Sequence, residues 1–285
     1  MSTEQCSPVS DAMVAARTHS TVHRLLSGAG LADVVAYDLD PERAWPLLCH
    51  GLDRLGQFLV AGVFPAELLD GQIHRVRFDL RKGAPEVHVQ LTACSAHSLG
   101  DLRVIDAEET DRYLHSGAAT AQMLEAAGWP DVRLAVLELE AVHVHDFAGI
   151  NSVAFDQVAR QHHRAVAHHQ GHEMAFPLPE DEIVARDVLG EAVEGDLSAL
   201  ARQPRMRWVS TRHHAAPMVD AVGTHVVDID KTGICVMEVT THRTRIGLCP
   251  FDEAVWSLPA LASVLEQWRP LDSPSFADSA SDNRR

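Results

Sequence analysis

The chain has 285 residues, 46% of them hydrophobic, which is enough to bury most of the surface its unfolded form exposes without an external staple. Its 24 basic and 40 acidic residues leave a net charge of -16, a field that repels phosphate backbones and excludes nucleic acid as a partner. The five cysteines, Cys6, Cys49, Cys94, Cys235 and Cys249, are odd in number and scattered, without C-x-x-C or zinc-type Cys-His spacing, so reduced thiols in a cytoplasmic protein are expected. The polar start has no apolar signal region, and no run approaches the roughly 20 apolar residues that span a bilayer, so neither export nor membrane insertion is expected.

Asp11 to Ser27 reads as an amphipathic helix with Val14, Val22, Leu25 and Leu26 on one side, closed by Gly28. A strand follows over Ala32 to Leu39, and Asp40-Pro41 is expected to start a short helix through Trp45, Leu47 and Leu48. Strands are then predicted at Gln57 to Val63, Gln72 to Leu80, Glu86 to Ala96 and Leu99 to Ile105, a series that suggests an antiparallel barrel. Asp106 with Glu109 forms an Asp-x-x-Glu capping box for a helix carrying Leu114, Ala118, Ala121 and Leu124 to its end at Gly128. Val132 to Val144 is read as a last barrel strand with a bulge, and the barrel as closing near Phe155.

Asp156 to Glu173 reads as a histidine-rich helical connector, after which Pro177 and Pro179 mark a boundary. Beyond it, Val184, Val188, Leu189, Val193, Leu197 and Leu200 predict one long amphipathic helix stopped by Pro204. Val219 to Asp228 and Ile234 to Thr240 flank an Asp230-Lys231-Thr232-Gly233 turn, with Gly233 expected to take a positive φ. Arg243 to Cys249 offers a third strand, and Ser257 caps a closing helix through Trp268. The expected organisation is α+β: an antiparallel split β-barrel over 11–155, the connector over 156–179, a smaller α/β domain over 180–269 and a disordered polar tail over 270–285.

Two blocks resemble a known family. Arg75 to Leu102 is similar to the middle strands of the FMN-binding split-barrel superfamily, related to the pyridoxamine-phosphate oxidases. Val226 to Trp268 resembles the small C-terminal domain that follows such barrels in haem-utilisation proteins, through Asp230, Gly233, Arg243, Arg245, Pro250, Phe251 and the helix from Leu258. The resemblance implies a homodimer with haem, or alternatively FMN, at the subunit junction, and a role in haem utilisation, extending to oxidative ring opening with electrons from a separate reductase. It also leaves open a non-catalytic module of tetrapyrrole pathways. No histidine follows His242, so the axial ligand that characterised haem-degrading relatives place near their C-terminus cannot be carried over, and the phosphate-binding run of the oxidases is not clearly reproduced around Arg75, Arg77 and Arg81.

The residues themselves offer three candidate sites, in a chain with 18 histidines. His168 and His172, at i and i+4, share a helix face and can present imidazole to a metal or a haem iron; the plain alternative is a solvated connector. Arg75, Arg77 and Arg81 alternate on one strand face, where guanidinium groups can grip propionates or a phosphate, or simply form the wet side of the barrel. His143 and His145 share a face of the last barrel strand and can act as ligand or base, or end in ordinary hydrogen bonds at a sheet margin. Cys94 is expected to be a buried hydrophobe with His97 a weak partner. No G-x-S-x-G, P-loop or dinucleotide fingerprint is present, so no reaction is identified by motif.

Overall fold

The computed structural model describes residues 10–69, 71–85, 91–167, 176–177, 181–193, 195–214 and 222–268. Helix α1 (Asp11–Leu26) begins at Ser10, whose side chain accepts from the Met13 N–H. Strands β1 (Leu31–Ala36), β2 (Trp45–Leu52), β3 (Phe58–Gly62), β4 (His74–Gly83), β5 (Thr92–Val104) and β6 (Arg133–Leu139) close into a six-stranded antiparallel barrel in the order β4-β1-β2-β3-β6-β5, with β5 returning to β4. Strands β7 (Ala141–Asp146) and β8 (Gly149–Ala154) extend the sheet outward from β5. Closure is therefore made by β4 with β5 and not by the strand before Phe155.

Alternation makes the barrel. In β4, Val76, Phe78 and Leu80 point inward and are buried, while Arg75, Arg77 and Arg81 point out. Phe58 and Phe78 meet edge-on at 5.3 Å in the core, with Phe155 closing one end at 6.1 Å from Phe58.

Helices α2 (Ala107–His115) and α3 (Ala121–Ala127) cross between β5 and β6. The single helix expected here is broken after His115, and Thr120 starts a new one by accepting from the Met123 N–H. The capping box is half made: Asp106 accepts from the Glu109 N–H at 2.7 Å, while the Glu109 carboxylate turns to Arg103 at 2.7 and 2.8 Å. The helix expected through Trp45, Leu47 and Leu48 is strand β2, because β1 and β3 claim its backbone from both sides. The two strands expected between Glu86 and Ile105 are one over the described stretch, because β4 pairs along its whole length from Gly83 to His74; residues 86–90 lie outside the described residues. Val132 to Val144 is two strands separated at Glu140, since β5 takes β6 on one stretch and β7 on another.

After β8, helix α4 (Phe155–Ala167) packs against the barrel and α1, with Val158 in the barrel core and His162 on His23. The second part contains α5 (Glu182–Ala192), α6 (Ser198–Ala201), a four-stranded antiparallel sheet of β9 (Arg207–His213), β10 (Gly223–Asp230), β11 (Gly233–Val239) and β12 (Arg243–Pro250) in the order β10-β11-β12-β9, and α7 (Leu258–Glu266). Helices α5 and α6 replace the one long helix expected, the break falling at Gly195 and Asp196, whose carboxylate accepts from the Ser198 N–H. Gly233 has no positive φ; a Cβ there would lie 2.5 Å from the Cys249 carbonyl oxygen, so close strand approach, not turn geometry, requires it. The whole is an α+β split barrel with an extra domain. Among the described residues no helix is long and apolar enough to cross a membrane.

The two parts are joined by buried charge. Arg17 and Arg24 of α1 and Lys82 of β4 converge on Asp228 of β10 at 2.8, 3.0 and 3.1 Å, and Arg24 also binds Glu182 of α5 at 2.7 Å. Helix α1 is thus an ionic bridge between the two sheets.

Where β1 starts, Gly30 has φ +87, and a Cβ there would fall 2.6 Å from the Arg81 carbonyl oxygen. Gly30→Ala combines left-handed strain with a backbone clash and is expected to cost about 2 kcal/mol. Urea denaturation checks this; a midpoint unchanged from the parent would contradict the close β1 to β4 approach.

Candidate functional site

Outward-pointing residues of five strands lie in register on one face of the sheet. One row runs Leu31 of β1, Arg81 of β4, Ser95 of β5, His145 of β7 and Ile150 of β8. The next runs Asp33, Asp79, His97, His143 and Ser152. Arg77 stands opposite Leu99 one step further along β4. Strand alternation brings Arg75, Arg77, Arg81, His143 and His145 onto this single face, and the register adds His97 between them.

The three imidazoles touch. His97 stacks on His143 with ring centroids 5.2 Å apart, and its Nδ1 lies 3.2 Å from Nε2 of His145. The His97 pKa is lowered from its ordinary value, first by burial and then by the neighbouring His143 and His145 rings, so it stays neutral with a lone pair to offer at physiological pH. Each arginine already carries an acid: Arg75 with Asp101 at 3.2 Å and with Glu140, Arg77 with Asp79 at 2.8 Å, and Arg81 with Asp33 at 2.7 Å. Arg77 engages Asp79 through Nε and Arg81 engages Asp33 through Nη2, which leaves further N–H donors on both guanidinium groups.

Arg77, Arg81, Ser95, His97 and His145 line a concavity of about 410 Å³, within the size range of small-molecule sites. Its surroundings are apolar in part, since Leu31, Leu99 and Ile150 are exposed by 76%, 39% and 71%. Arg75 and His143 stand on the same face outside the lining. The arrangement offers imidazole nitrogens, hydrogen-bond donors for anionic groups and apolar surface for a flat body.

The connector pair His168 and His172 lies outside the described residues. Among the described residues no group of three or more His, Cys, Asp or Glu is placed to hold a metal ion. Other histidines are structural: His23 and His162 pair at 3.2 Å between α1 and α4, with burial pushing His23 down to about 3, and His50 bonds the Leu25 carbonyl at 2.8 Å. His213 and Arg212 are at the exposed end of β9. Cys94 is buried, and burial pushes its thiol up to about 12.

The fold and this face define a split β-barrel with an appended α/β unit. No family model matches the chain, and no curated protein matches it. Among solved structures it is similar to a haem-binding protein from Mycobacterium smegmatis, at 13% identity and TM-score 0.44 over 89% of this chain and 97% of that one. It is also similar to a general stress FMN/FAD-binding protein from Xanthomonas citri, at 14% identity and TM-score 0.32 over 45% of this chain and 87% of that one. A protein of unknown function from Agrobacterium tumefaciens aligns at 15% identity and TM-score 0.33, over 94% of this chain and 98% of that one.

Proposed function

We propose that the histidine face binds haem and that the protein serves haem utilisation. The observation that supports this reading is the imidazole pair of His97 and His145 beside Arg77 and Arg81 in one concavity of about 410 Å³. Iron takes a neutral imidazole nitrogen, propionates take guanidinium N–H donors, and the porphyrin body takes apolar surface such as Leu31, Leu99 and Ile150. In this reading His97 or His145 holds the iron and Arg77 and Arg81 orient the propionates. Haem, when bound, supplies oxygen and electron-transfer chemistry; the chain's own part is to bind it, fix its orientation and restrict water. The finer reading is oxidative ring opening with electrons from a separate reductase, by a homodimer.

FMN is the second reading, favoured by the pairing of Arg81 with Ser95, which sets two phosphate donors side by side. It is the weaker of the two on charge. Asp33 and Asp79 already take part of the charge of the arginines, which a phosphate dianion needs more of than a propionate monoanion does.

Titration of the purified protein with haemin, followed in the Soret region, tests the proposal. Saturable binding at micromolar haemin is expected, weakened about tenfold or more in His97→Ala/His145→Ala and less in Arg77→Ala/Arg81→Ala. These side chains lie on the outer face of the sheet, so circular dichroism is expected to be unchanged. No spectral change at micromolar haemin would sink the haem reading, and copurified flavin displaced by the same variants would establish the FMN one. A parallel titration of His168→Ala/His172→Ala asks whether the connector supplies the iron ligand instead.

A further inference from the structure

A second concavity, of about 320 Å³, opens where the starts of β1 and β2 face α3. It is chemically unlike the histidine face. Leu31, Leu48 and Trp129 give it apolar walls and are themselves 76%, 49% and 54% exposed, so a large apolar surface is left to water here. No lysine or arginine lines it. His50, at its floor, bonds the Leu25 carbonyl through Nε2 and is held neutral by burial, which pushes its pKa down to about 4. The Cys49 thiol is kept protonated, pushed up to about 11 by burial and then by the charge of Glu125.

Glu125 is consequently the charged group of this lining, and it has no ion-pair partner among the described residues. Gln122 and His50 of the same lining offer two further acceptors. The side-chain oxygen of Gln122 and the backbone oxygen of His50 lie 3.0 and 3.2 Å from where a Cβ on Gly28 would sit, so the bare Gly28 leaves room between them. Carboxylate, amide oxygen and carbonyl together select a donor with several N–H groups and a positive charge. The half-exposed indole of Trp129 in the same lining adds attraction for a cation. The net charge of -16 raises the local concentration of any small cation.

We propose that this concavity is a binding site for a small primary ammonium carrying an aryl or branched alkyl group, its nitrogen on Glu125 and Gln122 and its body against Trp129, Leu31 and Leu48. The site is separate from the haem proposal and stands whether or not that one holds. Leu31 borders it and is the register partner of Arg81, but it does not line the histidine concavity.

Isothermal calorimetry with phenethylammonium chloride as probe tests it, with 3-phenylpropionate as the anion of similar shape. Saturable binding of the ammonium at roughly millimolar concentration or tighter is expected, with the anion at least about tenfold weaker. Glu125→Gln and Trp129→Ala, both at exposed positions, are each expected to weaken the ammonium about tenfold, while His145→Ala leaves it unchanged. Equal binding of anion and cation, no saturable heat at millimolar probe, or full affinity in Glu125→Gln would each overturn the proposal.

Discussion

Asp228→Ala is expected to lower stability by about 4 kcal/mol, the largest effect of any single charged-residue change in this protein. Arg17, Arg24 and Lys82 are all within 3.1 Å of its carboxylate, and the side chains of all four residues are at most 5% exposed. Removing the carboxylate leaves three cations in a place water cannot reach, with Glu182 and Asp230 as their remaining acids. Asn in place of Ala keeps the shape and loses the charge, so it is expected to do little better.

The pH dependence of the same residue has a definite sign. Burial by itself would push the Asp228 carboxyl up, but Arg24, Lys82 and Arg17 outweigh it and hold it well below the usual carboxylate range. A folded pKa depressed below the unfolded value of about 4 gives stability that is complete above that value and is lost as pH falls through the folded one. The stability gap between the parent and Asp228→Ala, measured by urea denaturation, is therefore expected to be constant from neutrality to about pH 5 and to narrow in stronger acid. A gap that stayed the same down to pH 2 would show that Asp228 is not the ionised centre of the cluster.

Phe58→Ala is expected to cost a similar amount, about 4 kcal/mol, for a different reason. Phe58 is 1% exposed on β3 and sets its ring against Phe78, Phe155 and His50, so the closed barrel cannot collapse into the space its removal leaves. The urea midpoint should fall with the slope unchanged, and Phe58→Leu should recover more than half of the loss. If Phe58→Ala cost less than about 1 kcal/mol, the interior would have to be loosely packed, contrary to these ring contacts.

The apolar periodicity of β4, from Val76 to Leu80, and the caps at Asp106 and Ser257 were legible in the chain because each is a local property. So was the hairpin at Asp230, whose Oδ1 accepts from the N–H groups of Thr232 and Gly233. What was not legible depended on partners distant in sequence. The stretch from Trp45 is apolar enough for a helix, and only the ladders from β1 and β3 make it a strand. His97 gave no signal alone; its place beside His143 and His145 follows from the register of β5 with β7, some 46 residues on by sequence number. Nothing in the sequence near Arg17 and Arg24 announces an acid on β10. Strand β9 hid because its exposed end, Ser210 to His213, carries polar residues suited to a sheet edge.

The ion cluster also orders events during synthesis. Arg17 and Arg24 stand 211 and 204 residues ahead of the aspartate they bind, and Lys82 stands 146 ahead. At translation rates of about 5–20 residues per second, the first helix waits roughly 10–40 s for its counter-charge to leave the ribosome. The ionic half of the α1 seat is therefore completed only when Asp228 is made, whereas its apolar half, Val22, Leu25 and Leu26 in the barrel core, needs only residues made well before it.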